Sequence, residues 1–444
     1  MTKPTHIFLR TAAVSGVAGA LLVTGFTQAS SAATTSSAQS AAMQHVTINV
    51  AIAYPAPSKA ALAAFTKSTG ISVNYSYIQW DNLQTKIAAA EAHTYFADVT
   101  DVDWSKVGEY YETKWFMPLN KYFNVASLPA QYPQVDSFIR DGELIGMPSD
   151  ASLLVTDVNT KDFAKAGITK TPTTFAQYQA DLKQVQSKGV VAHPLDIPFA
   201  AAEGLSTYWY EMTAAFGGGV LSSSYTPEFT SPSSPGYKAM TWMVDAYKDG
   251  LVPKGNLALD DYQGFSDDQA ENLTASVFSD YSGDIGTVYD VPSSSKVVGD
   301  IDYIPTPGVS GPAPNLANPD GIGIPVTAKH VSAAVEFIKW YDESTNQAAF
   351  AGANGPASSI NGFPLPANNS GLALLVSSGK VPGAAELAAL TKDHSRAIFP
   401  AGAPPWYPAF SNAVYTNLHS AAAGQESVAS AISAIASQVS SLQG

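Results

Sequence analysis

The order of hydrophobic patterns in the first quarter of the chain constrains the fold more than any other feature. Residues 46–52 and 71–77 alternate hydrophobic with polar or small side chains, as strands do, and a helical pattern that ends at Gly70 lies between them. A third strand is predicted at 96–102, followed by a helix around Tyr110. Because strands that alternate with helices pair in parallel, the pattern predicts an α/β lobe.

The length of 444 residues indicates two lobes, because a single hydrophobic core stops growing at about 250–300 residues. Hydrophobic residues make up 45% of the chain, which is enough to fill two cores. The net charge of −14 argues against nucleic acid or an anionic membrane as a partner. The chain has no cysteine, which excludes disulfides, thiol nucleophiles and thiolate metal sites.

Helical patterns dominate the chain after residue 167. Hydrophobic residues recur at helical spacing at 173–185, 240–247 and 333–341. The last pattern, at 428–442, has all its large hydrophobic residues on one face, which predicts an amphipathic helix docked on the second lobe.

The N-terminus has the pattern of a secretory signal peptide. Lys3 and Arg10 precede a hydrophobic run at 12–26, and small residues follow, with cleavage expected near Ala33. The alternative is an uncleaved membrane anchor, but the run is shorter than the about 20 residues that span a bilayer. Residues 34–44 have the composition of a flexible leader. We therefore expect an exported protein, periplasmic or extracellular, without a lipid anchor on cysteine.

Aromatic and acidic residues follow each of the first three predicted strands. They are Tyr54, then Trp80 with Asp81, then Asp103 with Trp104. Open α/β sheets bind ligands at the carboxyl ends of their strands. Aromatic rings can cover the apolar face of a ligand and carboxylates can accept its hydrogen-bond donors, so these residues are candidate ligand contacts. The alternative for each Trp is packing against the next helix.

A stiff Pro-rich turn near the C-terminus carries two more aromatic residues. The segment 404–408 reads Pro-Pro-Trp-Tyr-Pro, and its prolines restrict the backbone around Trp406 and Tyr407. A turn of this kind can hold a ring over a ligand, so both residues are candidate ligand contacts.

Several segments, in their order along the chain, carry a resemblance to a known family. Residues 141–167 begin Asp-Gly-Glu-Leu-Ile-Gly-Met-Pro-Ser-Asp and run as a turn, a strand, a Pro-kinked crossing, a second strand and a helix ended by Gly167. Further segments that carry the resemblance lie at 114–120, 239–253 and 320–338. Their order resembles that of family 1 extracellular solute-binding proteins, the sugar-capturing receptors of bacterial ATP-binding-cassette importers, of the maltodextrin-binding type.

The resemblance implies a two-lobe periplasmic-binding-protein fold with hinge crossings and a ligand cleft between the lobes. The first lobe is expected at 45–150 plus about 282–325, and the second at 151–281 plus about 326–444. The protein is expected to capture a carbohydrate and deliver it to membrane permease subunits, as a monomer, without catalysis, cofactor or metal. The residues that the resemblance adds to the site are Ser149, Asp150 and Asp320 at the hinges, and Tyr208, Trp209 and Tyr281 as aromatic groups.

Two other functions stay open. A receptor for a cationic ligand such as a polyamine would use Asp103 and Asp150 as counter-charges. A secreted glycoside hydrolase would need a paired acid and nucleophile, and Asp101 and Asp103 share one face of a strand, with Asp98 on the other. The sequence has no G-x-S-x-G, H-E-x-x-H or Walker motif, and the spacing of its clustered aspartates does not match the calcium-binding loop.

Overall fold

The structure, a computed structural model, describes residues 46–90, 94–260, 265–281, 285–353 and 365–444. His45–Gly444 forms one compact unit. The predicted signal peptide and leader lie outside the described residues. Within the described ranges, no helix combines the length and the hydrophobicity that a membrane span requires.

The helices of the described residues are α1 (Lys59–Thr69), α2 (Trp80–Ala90), α3 (Val107–Thr113), α4 (Thr160–Ala166), α5 (Phe175–Ser187), α6 (Glu203–Ala215), α7 (Pro235–Lys248), α8 (Phe265–Ala270), α9 (Val331–Tyr341), α10 (Ser344–Ala353), α11 (Asn369–Ser378), α12 (Ala384–His394), α13 (Tyr407–Ala422) and α14 (Val428–Gln443). The helical patterns predicted after residue 167 correspond to α5, α7, α9 and α14.

The strands of the described residues are β1 (Val46–Ile52), β2 (Ile71–Tyr77), β3 (Val99–Asp103), β4 (Ile139–Arg140), β5 (Glu143–Leu144), β6 (Met147–Pro148), β7 (Leu154–Asn159), β8 (Leu195–Asp196), β9 (Ser276–Val277), β10 (Asp280–Tyr281), β11 (Ile301–Ile304), β12 (Asn315–Ala317), β13 (Asp320–Gly323) and β14 (Ser395–Ala397). The third strand thus begins three residues later than the pattern predicts.

A five-stranded sheet in the order β2-β1-β3-β13-β6 forms the first lobe. β1 pairs in parallel with β2 and β3, as the alternation of strands and helices predicts. The side chain of Ser58 caps α1 by accepting the N–H of Ala61, and Gly70 ends the helix with a left-handed backbone, φ 76°. Phe65, the buried residue of α1, packs on Phe337 of α9.

The second lobe contains a three-stranded sheet in the order β10-β7-β11. All six residues of its central strand, β7, are buried, and both neighbouring strands run antiparallel to it. α6 packs against α7 and α13, and α13 packs against α14. The buried residues Ile432, Ile435 and Val439 lie on one face of α14, which confirms the predicted amphipathic helix.

Two segments that cross between the lobes run side by side. The first connects β6 to β7 and the second connects β12 to β13. Leu153 forms a bridge with Ala317, and Met147 pairs with Ile322. The N–H of Ser149 donates to the carbonyl of Asp320 at 2.8 Å. The crossings therefore hold each other by backbone hydrogen bonds, so residues at their ends keep a defined position between the lobes.

The strand pairings differ from the predicted lobe boundaries, which stay a prediction. Residues from about 282 to 325 were expected in the first lobe, but β11 pairs with β7 and β12 pairs with β14, both in the second lobe. Only β13 joins the first sheet. α9, expected in the second lobe, packs on Phe65 and on β1 in the first. Hydrophobic periodicity shows that a strand or helix is buried, but it does not show which sheet buries it.

Candidate ligand-binding site

Tyr54, Asp150 and Asp320 meet where the two crossings reach the first sheet, and we call this group the hinge clasp. The Tyr54 hydroxyl donates to Oδ2 of Asp150 at 2.5 Å and lies 3.1 Å from Oδ2 of Asp320. Oδ1 of Asp150 accepts the backbone N–H of Asp320 at 2.7 Å. Tyr54 follows β1, Asp150 lies on the first crossing, and Asp320 begins β13. The structure thus brings together three of the predicted residues from three separate segments.

Two further carboxyl groups, on β3, lie beside the hinge clasp. Asp103 is the register partner of Asp320 across β3 and β13. Oδ2 of Asp101 accepts the N–H of Ala53 at 2.8 Å, while its buried Oδ1 has no hydrogen-bond partner in the described structure. Asp101 is only 3% exposed. Four carboxyl groups therefore share one region, and one of their buried oxygens lacks a donor.

Burial is the main cause that raises the pKa of all four carboxyl groups. The pKa of Asp101 rises to about 8, by burial first and then by the charges of Asp150 and Asp103. Burial and the neighbouring carboxylates also raise the pKa of the Tyr54 hydroxyl. The carboxyl group of Asp101, with a pKa of about 8, therefore retains its proton at neutral pH, whereas Asp150, with a pKa of about 6, is ionised, so the region offers a hydrogen-bond donor as well as acceptors.

Asp101→Asn is expected to flatten the pH dependence of stability. The pKa of Asp101 is about 8 in the folded protein against an ordinary value of 3.8, so the folded state binds this proton more tightly than the unfolded chain. The contribution of this proton to the free energy of unfolding is fully present below pH 3.8 and is lost as the pH rises through about 8. Asparagine has no proton to lose, and its amide N–H supplies a donor in place of Oδ1.

Over this pH range the free energy of unfolding of the unmodified protein should fall by about 1–3 kcal/mol more than that of the variant. This is less than the full pKa shift implies, because relaxation and water penetration reduce the cost of a buried charge. Urea denaturation at a series of pH values measures the difference. Parallel pH profiles for the two proteins would contradict the assignment of the raised pKa to Asp101.

Trp104 and Tyr407 form a pair of buried rings between the lobes. The indole N–H of Trp104 donates to Oδ1 of Asn318 at 3.0 Å, two residues before Asp320. The ring centroids of Trp104 and Tyr407 are 5.6 Å apart, and Phe399 lies 6.3 Å from Trp104. Because Asn318 connects Trp104 to the second crossing, this ring pair lies close to the hinge clasp.

The other predicted aromatic of the Pro-rich turn, Trp406, is half-buried. Its ring meets Tyr225 edge to face, with 5.7 Å between the centroids. Arg140 on β4 donates to the Tyr225 hydroxyl and, at 2.8 Å, to the carbonyl of Ala401. These contacts join the first lobe to the second.

Arg140, Tyr225 and Asn318 are site residues that the sequence did not single out. Arg140 is one of three arginines in the chain, and this rarity is the signal that could have pointed to it. Tyr225 lies in a loop without hydrophobic periodicity. Asn318 lies two residues before Asp320, which was predicted. A predicted site that included the two residues before Asp320 would have contained Asn318.

Tyr208 and Trp209, predicted as ligand contacts, lie in the core. Both residues of α6 are fully buried. The indole N–H of Trp209 donates to the carbonyl of Gly236 at 2.8 Å, and its ring packs on Phe229 and Tyr210. A ligand would reach these rings only by displacing core side chains. Nearly every residue of α6 is buried, so the hydrophobic pattern of its sequence did not show whether one side faces a ligand.

The remaining predicted residues stay predictions. Trp80 begins α2 and is half-buried. Ser149 is 3% exposed, and its buried hydroxyl has no hydrogen-bond partner in the described part of the chain. The side chains of Asp81 and Tyr281 lie outside the described structure.

The carboxyl groups of this region do not have the arrangement of a metal site. Among the described residues, no group of three or more His, Asp or Glu side chains is placed to hold a metal ion. The site therefore consists of carboxyl groups, a phenol and aromatic rings, which are suited to hydrogen bonding and ring stacking.

Two α/β lobes joined by crossing segments, with polar and aromatic groups between them, define a two-lobed solute receptor. The sequence model of the family described as bacterial extracellular solute-binding protein matches residues 50–348, more than half of the chain. The chain belongs to this family. No curated protein sequence matches it.

Similar solved structures are two-lobed binding proteins. Maltose-bound MalE3 from T. maritima has a TM-score of 0.74 and 19% identity, over 89% of this chain and 100% of that chain. A solute-binding protein of an ABC transporter from Agrobacterium radiobacter K84, in complex with ribitol, has a TM-score of 0.73 and 20% identity, over 90% and 99%. A solute-binding protein from Thermotoga lettingae TMO, bound with alpha-D-tagatose, has a TM-score of 0.71 and 19% identity, over 90% and 100%. These similarities show the fold.

Proposed function

We propose that this protein captures a carbohydrate between its two lobes, outside the cytoplasm, and delivers it to the permease of an ATP-binding-cassette importer. The observation that carries the proposal is the hinge clasp beside the Trp104–Tyr407 ring pair. Similar structures contain maltose, ribitol and tagatose, which supports a neutral polyhydroxylated ligand. The predicted signal peptide supports export.

The hinge clasp and the rings have different tasks in this proposal. Tyr54 and Asp320 are half-buried, so they can exchange their mutual hydrogen bond for bonds to sugar hydroxyls. Asp150 is 3% exposed and has both oxygens occupied, so it positions the other two. Trp406, which is half-buried, offers a ring face for the apolar side of the sugar, while the buried rings of Trp104 and Tyr407 pack on each other beside the hinge clasp. Closure of the lobes would bring these groups around one ligand.

A thermal shift assay with maltose, xylose, cellobiose and glycerol-derived ligands tests the proposal. A ligand at about 100 times its Kd adds about 2.7 kcal/mol to stability, which corresponds to a rise in Tm of several degrees. We expect such a rise with at least one neutral carbohydrate. A Tm that does not change with any carbohydrate would count against carbohydrate capture.

Gly108→Ala is expected to weaken ligand binding by hindering closure. A Cβ at Gly108 on α3 would collide with the carbonyl of Ala403 and lie 2.9 Å from backbone atoms of Pro404 and Pro405, in the segment before α13. Because one methyl group here pushes α3 away from the segment that carries Trp406 and Tyr407, we expect a loss of affinity of about ten-fold, equivalent to 1.4 kcal/mol.

Gly255→Ala is the matched control for this variant, since a Cβ at Gly255 meets no atom within 4 Å. Isothermal titration measures affinity, and small-angle X-ray scattering of the liganded proteins measures closure. Equal affinities for the two variants would show that the contact at Gly108 does not take part in closure.

A cationic ligand is the second candidate, favoured by the clustered carboxyl groups, of which Asp150, with a pKa of about 6, is ionised at neutral pH. Affinity for a polyamine would fall as salt rises, because ions screen charge attraction, whereas affinity for a neutral sugar would not. Titrating spermidine and the best carbohydrate at low and high salt separates the two. We propose no catalysis. Release of reducing ends from a polysaccharide would contradict this.

A further inference from the structure

The hinge clasp has one proton too few for its hydrogen bonds if both of its carboxyl groups are ionised. The Tyr54 hydroxyl oxygen lies 2.5 Å from Oδ2 of Asp150 and 3.1 Å from Oδ2 of Asp320. A phenol carries one proton, and an ionised carboxylate can only accept hydrogen bonds. With both carboxylates ionised, the single phenol proton would have to serve two acceptors. Two full hydrogen bonds at this hydroxyl therefore require a further proton.

The distances show that Asp150 is the ionised member of the hinge clasp. An O–H donor lies about 2.5–2.7 Å from a charged carboxylate oxygen, which matches the 2.5 Å between Tyr54 and Asp150. The other oxygen of Asp150, Oδ1, accepts the backbone N–H of Asp320 at 2.7 Å. Both oxygens of Asp150 are thus acceptors, and the phenol proton lies toward this residue. The further proton must then come from Asp320.

The surroundings of Asp320 disfavour a second negative charge. Among the described residues, none of the ion pairs includes Asp150 or Asp320. The lysine that follows β3, Lys106, lowers the pKa of Asp103, one of the two acidic groups on that strand. Burial raises the pKa of Asp320 well above its ordinary value, and the neighbouring carboxyl groups of Asp150, Asp101 and Asp103 raise it further.

We propose that Asp320 carries this proton and that the hinge clasp is a directed chain, in which Asp320 donates to the Tyr54 hydroxyl and Tyr54 donates to the ionised Asp150. Each donor polarises the next one, so the two hydrogen bonds strengthen each other. The chain connects the second crossing to the first through the residue that follows β1. Asp320 is therefore a hydrogen-bond donor at a half-buried position of the site.

The consequence for ligand choice rests on the proposed function. A ligand that replaces Tyr54 as the partner of Asp320 would receive a hydrogen bond on one of its oxygens. The hydroxyl and ring oxygens of a carbohydrate can accept such a bond, whereas an ammonium group has only donors. The hinge clasp also carries one negative charge instead of two. It therefore selects a neutral ligand with acceptor oxygens over a polyamine.

Infrared difference spectroscopy between the unmodified protein and Asp320→Asn tests for the proton without any ligand. At neutral pH we expect the unmodified protein to show a C=O stretch of a protonated carboxylic acid that the variant lacks. Asp136→Asn, at an exposed position, is the matched control, and its difference spectrum should show the loss of an ionised carboxylate. An ionised carboxylate band in the Asp320→Asn difference spectrum would overturn the proposal.

A measurement on the unmodified protein gives the answer if Asp320→Asn does not fold. The carboxyl ¹³C resonance of Asp320, assigned through its own backbone, should have the position of a protonated acid at neutral pH. It should move to the ionised position only as the pH rises through the raised pKa of this group. An ionised position at neutral pH would place the proton elsewhere.

The pH profile of carbohydrate affinity tests the donor role of Asp320. Above the raised pKa the ionised group no longer donates, so the affinity of the unmodified protein should fall by up to about ten-fold per pH unit, as for one linked proton. Asp320→Asn has no proton to lose, and its affinity should fall less over the same range. An affinity that rises with pH would show an acceptor role instead. If no carbohydrate binds the unmodified protein, the proposed function fails, while the infrared spectra still decide where the proton lies.

Discussion

Asp150→Ala is expected to weaken carbohydrate binding by about 100-fold, the largest functional effect of any single substitution in the site. Asp150 accepts hydrogen bonds from the Tyr54 hydroxyl and from the backbone of Asp320. Its removal leaves both donors without their acceptor in a buried region and frees the side chains that meet the ligand. A 100-fold loss corresponds to about 2.8 kcal/mol, which is within the about 1.5–3 kcal/mol that one hydrogen bond to a charged group contributes.

Isothermal titration with the carbohydrate found by thermal shift measures the effect. Asp136→Ala, which removes an exposed aspartate from the 3-10 turn before β4, is the matched control and should leave the affinity unchanged. Asp150→Asn should show an intermediate loss, because its carbonyl can still accept from Asp320. An affinity for Asp150→Ala within about three-fold of the unmodified protein would contradict the role of the hinge clasp, since that corresponds to less than 1 kcal/mol.

Gly323→Val is expected to reduce the free energy of unfolding by about 3 kcal/mol or more, the largest effect on stability. Gly323 lies on β13, where the second crossing enters the first sheet. A Cβ there would lie 2.6 Å from Cγ2 of Val102, 2.8 Å from Cδ1 of Phe116 and 3.0 Å from the carbonyl of Ile145. These atoms belong to a strand, a buried ring and a backbone, so none of them can yield without disturbing the sheet.

Urea denaturation measures the change, and Gly255→Val is its control because no atom lies within 4 Å of a Cβ at that position. We expect the control to change stability by less than about 1 kcal/mol. If Gly323→Val unfolds at the same urea concentration as the control, the close approach of β13 to β3 is not required for the fold.

Local elements could be predicted from the sequence because their causes are local. Thr174 caps α5 in a capping box with Gln177, and the helix begins at the next residue. Gly70 ends α1 in a left-handed conformation that costs glycine little. Strands β1 and β2 follow the alternation of hydrophobic residues. Each of these signals lies within a few residues of its effect.

The assembly of the site could be predicted only in part. Tyr54, Asp150 and Asp320 were each candidates because they stand at strand ends or crossings, but they are separated by 96 and 266 positions along the chain. No local pattern reports contacts over such separations. The same limit applies to the tryptophans. The sequence did not show that Trp104 lies between the lobes whereas Trp209 lies in the core.

The sequence by itself determined the α/β class, the positions of most helices and strands, and the residue types available for ligand binding. Helical hydrogen bonding, capping and hydrophobic periodicity act over a few residues, so these features can be predicted from neighbouring residues. Only the tertiary structure decided that β13 joins the first sheet, that Tyr208 and Trp209 belong to the core, and that four carboxyl groups meet beside Tyr54. Those outcomes depend on which distant segments pack together, and that is settled by the free energy of the whole fold.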